Sequence, residues 1–349
     1  MDPRETTKDR LVSTGLFLLT LLSVYWVYGT QWMGGSPFSD PEVAAGSARF
    51  AAGLMGILLA HEMGHYLVAR AHGFQLSLPY FLPLPAAFGT MGAIIRLRSL
   101  PETRTGLLEM GAAGPLAGFV VALVLMALGV SDTVEHAAPI LVVESAEALA
   151  ALFDVQPAVA AGDGGWMSGP PFTWILPPVS EVPSVPLLIL ANPLVLDLLG
   201  MLINGQVPGR YATLDPLAMA GWVGCMVTAI NLLPIGQLDG GHVINAFVPR
   251  WAPRIARLGV GLALLGGLFW TGWAVWGVLL LVLRAWRSLP VPLYPPPSPR
   301  SRVIGLLCLL TFVLCFMPRP LEVENLPLEK LQLVDPDGQP LVAPVAPPR

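Results

Sequence analysis

Several apolar runs in this chain reach the length of about 20 residues that a helix needs to cross a bilayer. They occupy residues 11–29, 50–69, 107–130, 216–235 and 258–283, and 303–317 is a shorter sixth. Backbone polar groups have no water to bond in a bilayer core, so such runs fold as helices. The rest of the chain agrees: 54% of the 349 residues are hydrophobic and 12% are charged, against about 25% charged in soluble domains. Run 11–29 reads as a retained anchor and not a cleaved leader. Residues 185–203 are apolar but broken by Pro186 and Pro193, which suits a re-entrant or interfacial helix. The net charge of −4, with no basic stripe, excludes a nucleic-acid partner. Cys225, Cys308 and Cys315 all lie in apolar segments and read as small buried hydrophobes.

Basic residues orient the chain, because cytoplasmic loops collect Lys and Arg. Arg4, Lys8 and Arg10 precede the first run, and Arg70, Arg96, Arg98 and Arg104 follow the second. Residues 131–215 carry nine acidic side chains and one base, Arg210. The N-terminus (1–10) is therefore expected in the cytoplasm and 131–215 on the far side. The membrane regions are then 11–130 and 216–317. Arg284, Arg287, Arg300 and Arg302 break the pattern after run 258–283. Either that run bends into a hairpin near Trp270–Trp273 or the rule fails there. Residues 162–186 are rich in Gly and Pro, and the tail 318–349 is Pro-rich without an apolar period, so both read as disordered.

The second run contains "LLAHEMGHYLVARAHG", residues 58–73. His61 and His65 are four residues apart, hence on one helix face and about 6 Å apart along the axis. Two neutral imidazoles so placed can share one Zn²⁺, and Glu62 between them can reach a metal-bound water as general base. Three ionisable residues within five positions of a membrane helix are costly, which makes packing alone a weak account of them. A third ligand is required. His72 lies about 10 Å beyond His65 along a straight helix, too far to share the ion.

"NLLPIGQLDGGH", residues 231–242, supplies better candidates. Pro234 and Gly236 break the helix and Asp239 follows at the unwound point. A carboxylate there needs a cation, and irregular backbone at that depth needs surrounding protein or water. His242, one turn on, is the rival ligand. Gly111, Gly114 and Gly118 in "GAAGPLAGF" are spaced to let membrane helices pack closely. Alternation along "GTMGAIIRLRS", residues 89–99, suits a strand whose free edge could take an extended peptide. Gly89, Thr90, Met91 and Gly92 are its candidate substrate-binding residues.

These ordered motifs, HEMGH, GTMGAIIRLRS with GAAGPLAGF, and NLLPIGQLDGGH, resemble the site-2 protease family of intramembrane zinc proteases. The similarity covers roughly residues 50–247. Residues 131–215 lack the regular strand-and-turn signals of a PDZ module, so the chain looks most like the PDZ-less subgroup of bacteria and plastids. The resemblance implies an all-α polytopic membrane protein of about six to eight transmembrane or re-entrant helices, with a membrane-embedded β-hairpin near the active site. It implies one Zn²⁺ on His61, His65 and Asp239, Glu62 as base, and Asn231 holding substrate backbone or oxyanion. It further implies single-span membrane proteins as substrates, an upstream protease that makes a first cut, and a bacterial inner membrane or plastid-like location. The other readings are a non-catalytic scaffold that binds client helices, a prenyl-protein endopeptidase type with a Glu ligand, and a metal transporter.

Overall fold

The computed structural model describes residues 7–99, 101–136, 138–142, 184–327 and 330–334. The chain forms two compact units: 1–133, 192–207 and 214–319 in the first, 134–191, 208–213 and 320–349 in the second.

The first unit is helical. Helix α1 (Thr7–Val27) continues through a π-helical turn to Trp32. Helix α2 (Pro41–Ala71) starts where Asp40 accepts from the backbone N–H groups of Glu42 and Val43, with Pro41 in the first turn. Helix α3 (Arg104–Gly129) starts where Thr103 accepts from Gly106 N at 3.0 Å. With their extensions (Thr7–Trp32, Pro41–Ala71, Arg104–Asp132), these three are long and apolar enough to cross a membrane.

Helix α3 has two different faces. Gly111, Gly114, Gly118, Ala122 and Met126 are buried against neighbouring helices. Val120, Val124 and Leu128 recur every four residues and are more than half exposed. An apolar stripe facing outward beside a close-packed inner face is how a helix meets lipid. The chain is thus a membrane protein in which α3 packs directly on α2.

Shorter apolar helices follow. They are α4 (Leu194–Ile203), α5 (Pro216–Asn231) and α8 (Thr271–Val282). Helix α5 begins where Asp215 accepts from Leu217 N and is itself paired with Arg49 of α2 at 2.9 Å. It stops at Asn231, just short of the Pro234–Gly236 break, and α6 (Asp239–Phe247) starts afresh. Run 258–283 is a bent hairpin, the first of the two expectations for it. Helix α7 (Ala252–Gly266) ends before Trp270, and α8 returns along it. Gly277 lies against Leu264, and Gly267 against Ala274. Arg284 and Arg287 follow this return of the chain. Helix α9 (Pro299–Cys315) follows, capped by Ser298.

Two strands sit between α2 and α3. Strand β1 (Tyr80–Pro83) pairs antiparallel with β2 (Thr90–Ile94), Tyr80 opposite Ile94, with an irregularity between Phe81 and Pro83. Phe81 packs edge-on against Phe17 of α1 at 5.1 Å. Gly89, at φ +85°, presses on the α1 backbone at Val24, where any Cβ would collide.

The second unit corrects two expectations. The tail was expected to be disordered, yet Leu321–Pro327 (β5) pairs antiparallel with Ser184–Leu190 (β4) over seven residue pairs. Gln332–Val334 (β6) pairs parallel with Ile140–Val142 (β3). Residues 185–203 are not one helix, since strand β4 and helix α4 divide them. The reason is long-range pairing. The alternation in LEVENL is short and half polar, so it signals a strand only once a partner is beside it. Arg210 meets Glu322 at 3.3 Å and Glu324 at 2.8 Å, neutralising the polar face of β5. Most of the Gly/Pro-rich stretch 162–186, and tail residues 335–349, lie outside the described residues.

Candidate metal centre

His61 and His65 project from one face of α2 as their spacing requires, and Asp239 faces them from the first turn of α6. The Nε2 atoms of the two histidines are 3.2 Å apart. His61 Nε2 lies 3.3 Å from Asp239 Oδ2, and His65 Nε2 lies 3.3 Å from Asp239 Oδ1. Ligand atoms around a tetrahedral ion at about 2.0–2.1 Å stand about 3.3 Å from one another, so the spacing suits one zinc-sized ion.

The chemistry of the donors also fits a cation. His65 Nδ1 is 2.8 Å from the carbonyl oxygen of Met110. A carbonyl only accepts, so Nδ1 carries the hydrogen and donates. In the neutral ring Nε2 then has a lone pair, aimed at a carboxylate oxygen and a second imidazole. A lone pair, a carboxylate and a second imidazole converging in this way suit a cation among them. A single metal ion serves all three, and a carbonyl fixing the remote ring nitrogen is the usual support for such a ligand. Among the described residues this is the one group of three or more metal-binding side chains.

Local sequence explains why the donors can meet. A Cβ on Gly114 would collide with the His65 ring, and one on Gly118 would lie 3.2 Å from His61 Cβ. The glycine spacing read as helix packing therefore packs α3 onto the two metal-binding rings. The paired glycines after Asp239 have a similar use. A Cβ on Gly240 would strike the Leu232 carbonyl, and one on Gly241 the Ile235 carbonyl, because the chain doubles back on NLLPIG. Gly114→Ala is expected to push the His65 ring off its position and weaken zinc binding about 10-fold or more. Chelator competition on the purified variant checks this, and wild-type zinc affinity would contradict it.

The donors open on a cavity of about 420 Å³. Glu62 and Asn231, the last residue of α5, line it with them, as does His242. His242 is not within the donor group, and its buried Nδ1 has no hydrogen-bond partner among the described residues. His72 is excluded as a ligand. It sits at the end of α2 with Nε2 2.9 Å from Glu109 Oε2, and Glu109 also accepts from Ser301.

The strand candidates lie just before the segment that lines the cavity. Gly89, Thr90, Met91 and Gly92 do not line the cavity, while Ala93, Ile94, Ile95 and Leu97 do. Gly89 is drawn to α1, so the end of β2 that turns toward the donors is the C-terminal one. Among the described residues, strand β2 is paired on one side only, in a two-stranded sheet. Sequence reading missed four further contributors. The Met110 carbonyl carries no side-chain signal. Leu289 reaches the cavity from a distant segment. Gln237 and Leu238 could have been found, since they adjoin Asp239.

Comparison with known proteins gives one family model, described as Peptidase family M50, which matches residues 49–265. The chain is 29% identical over 284 residues to the protein named probable zinc metalloprotease EGY2, chloroplastic, of Oryza sativa subsp. indica, covering 80% of this chain and 43% of that protein. It is 29% identical over 232 residues to probable zinc metalloprotease EGY1, chloroplastic, of Arabidopsis thaliana, covering 64% and 34%. It is 27% identical over 269 residues to probable zinc metallopeptidase EGY3, chloroplastic, of the same plant, covering 74% and 41%. The chain thus spans about two fifths of the length of these relatives. No solved structure gives a significant match.

Proposed function

The chain belongs to peptidase family M50, and from that premise we propose that it is a zinc-dependent endopeptidase that cuts peptide bonds within the transmembrane segments of single-span membrane proteins. The observation that carries this reading is the meeting of His61, His65 and Asp239 with Glu62 and Asn231 on one cavity.

His61, His65 and Asp239 would hold the ion. When bound there, zinc supplies a Lewis acid and lowers the pKa of a coordinated water toward 7. Glu62 takes the proton of the attacking water on its carboxylate and returns it to the leaving amine nitrogen. The Asn231 side-chain amide donates to the carbonyl oxygen as charge gathers on it. A helical substrate hides its carbonyls in hydrogen bonds, so it must be presented extended. The side of β2 that has no partner strand among the described residues, continued along Ala93–Leu97, would take the substrate as an added strand and lead it to the donors. Ile94, Ile95 and Leu97 give the cavity an apolar wall suited to the side chains of a membrane span.

The same reading places the chain in a bacterial inner membrane or a plastid-like membrane, with six to eight spanning or re-entrant helices and the β1–β2 hairpin inside the bilayer. Its substrates would arrive after a first cut by another protease. The purified chain, placed in liposomes with a tagged single-span protein, is expected to cut it. Cutting should stop on addition of a zinc chelator and return with added Zn²⁺. Cutting that persists through full chelation would overturn the zinc mechanism.

A further inference from the structure

Arg104 has a buried guanidinium, and its partners lie outside its own helix, two of them on α6 and one in the segment between α8 and α9. It is the first residue of α3 and is 8% exposed. Its Nε donates to the Ala246 carbonyl at 2.6 Å, Nη2 to the Phe247 carbonyl at 2.6 Å, and Nη1 to the Leu293 carbonyl at 2.9 Å. No ion pair with a carboxylate is found for it among the described residues. A positive charge in the first turn of a helix opposes that helix's own dipole, so Arg104 does not serve α3. Ala246 and Phe247 end α6, where backbone carbonyls lack helical partners and a positive charge is favourable. The rigid fork of an arginine can satisfy two such carbonyls at once.

Helix α6 starts with Asp239. It has nine residues, about 13.5 Å of length, and two glycines in its first turn. So short a helix has few hydrogen bonds of its own to fix its position. Helix α3 fixes it from outside at both ends. At one end Gly111 admits α6, since a Cβ there would lie 2.8 Å from His242 Cβ and 3.2 Å from the Asp239 carbonyl. At the other end Arg104 holds the last carbonyls. Immediately before Gly111, the same helix offers the Met110 carbonyl that orients His65. Asn245 adds a tie from α6 to the Leu289 carbonyl at 2.7 Å.

We propose that Arg104 is a positioning residue for the metal centre, clamping the C-terminal carbonyls of α6 so that Asp239 is held in register with His61 and His65. The proposal rests on the zinc-site reading above. It makes α3 the gauge that sets the distance between the donor of one membrane segment and the donors of another.

The test compares full-length wild type, Arg104→Met, Arg104→Lys and, as a control for general destabilisation, Asn204→Ala. The control removes a hydrogen bond from α4 to the Val130 carbonyl in the same unit. Zinc affinity is read by chelator competition, with thermal midpoint alongside, and kcat and KM are measured on a single-span substrate. Arg104→Met is expected to weaken zinc binding about 10–100-fold and to lower kcat with little change in KM. Arg104→Lys keeps the charge without the fork and should fall between. Asn204→Ala should keep wild-type zinc affinity. Unchanged zinc affinity in Arg104→Met overturns the proposal, as does an equal loss in Asn204→Ala at a matched drop in midpoint. Where Arg104→Met yields no folded protein, wild-type zinc affinity and kcat in Arg104→Lys overturn it. A wild-type chain that binds no zinc overturns the reading of the site, and the positioning role with it.

Discussion

His65→Ala is expected to yield a folded chain that no longer keeps zinc through purification. His65 supplies one of three side-chain donors, and its Nδ1–H is tied to the Met110 carbonyl. A four-ligand protein zinc site binds with about 10–16 kcal/mol. One ligand's share is then roughly 2.5–4 kcal/mol, a weakening of about 70- to 900-fold. The deletion leaves α2 and α3 in contact through Gly64, whose Cβ position touches the Ala113 backbone, and through Gly118 at His61. Zinc content by atomic emission, beside a far-ultraviolet spectrum, checks both halves. One zinc per chain in His65→Ala would mean that the donors are assigned wrongly, with His242, on the same cavity, the next to examine.

Glu62→Gln should do the opposite to the metal and more to the chemistry. Glu62 lines the cavity but stands outside the donor group, so the variant should hold zinc as the wild type does. Glutamine is nearly isosteric and cannot take a proton. Loss of general base catalysis costs about 10²–10⁴ in rate, and hydrolysis in liposomes should fall by that much with KM little changed. Equal rates in both proteins would mean that Glu62 is not the base. Loss of zinc from Glu62→Gln would make it a ligand.

The features legible in the sequence share a cause: their physics is local. The four-residue spacing of His61 and His65 forces them onto one helix face. Pro234 and Gly236 end one helix and free Asp239 to start another. The arginines after run 258–283 left two readings, a hairpin bent near Trp270 or a failure of the charge rule, and the helix break at Trp270 decides for the hairpin. What stayed hidden depends on partners far away in the chain. Strand β5 exists because β4 lies beside it, more than a hundred residues earlier. Gly114 looks like any small packing residue until the His65 ring is seen against it. Arg104 reads as a cytoplasmic loop charge, and only the position of α6 shows what it holds. The cavity wall at Ala93–Leu97, just past the candidate stretch Gly89–Gly92, was hidden as well, because the contact of Gly89 with α1 is long-range.

The central claim is that the peptide bond cut lies within a membrane span. Its most direct test is to map the cut by mass spectrometry of both fragments of a single-span substrate, cleaved in liposomes by the wild-type chain with Glu62→Gln as blank. The expected result is a new terminus inside the substrate's apolar segment, absent from the blank. Termini only in the extramembrane flanks would contradict the claim and leave a peptidase that works at the membrane surface.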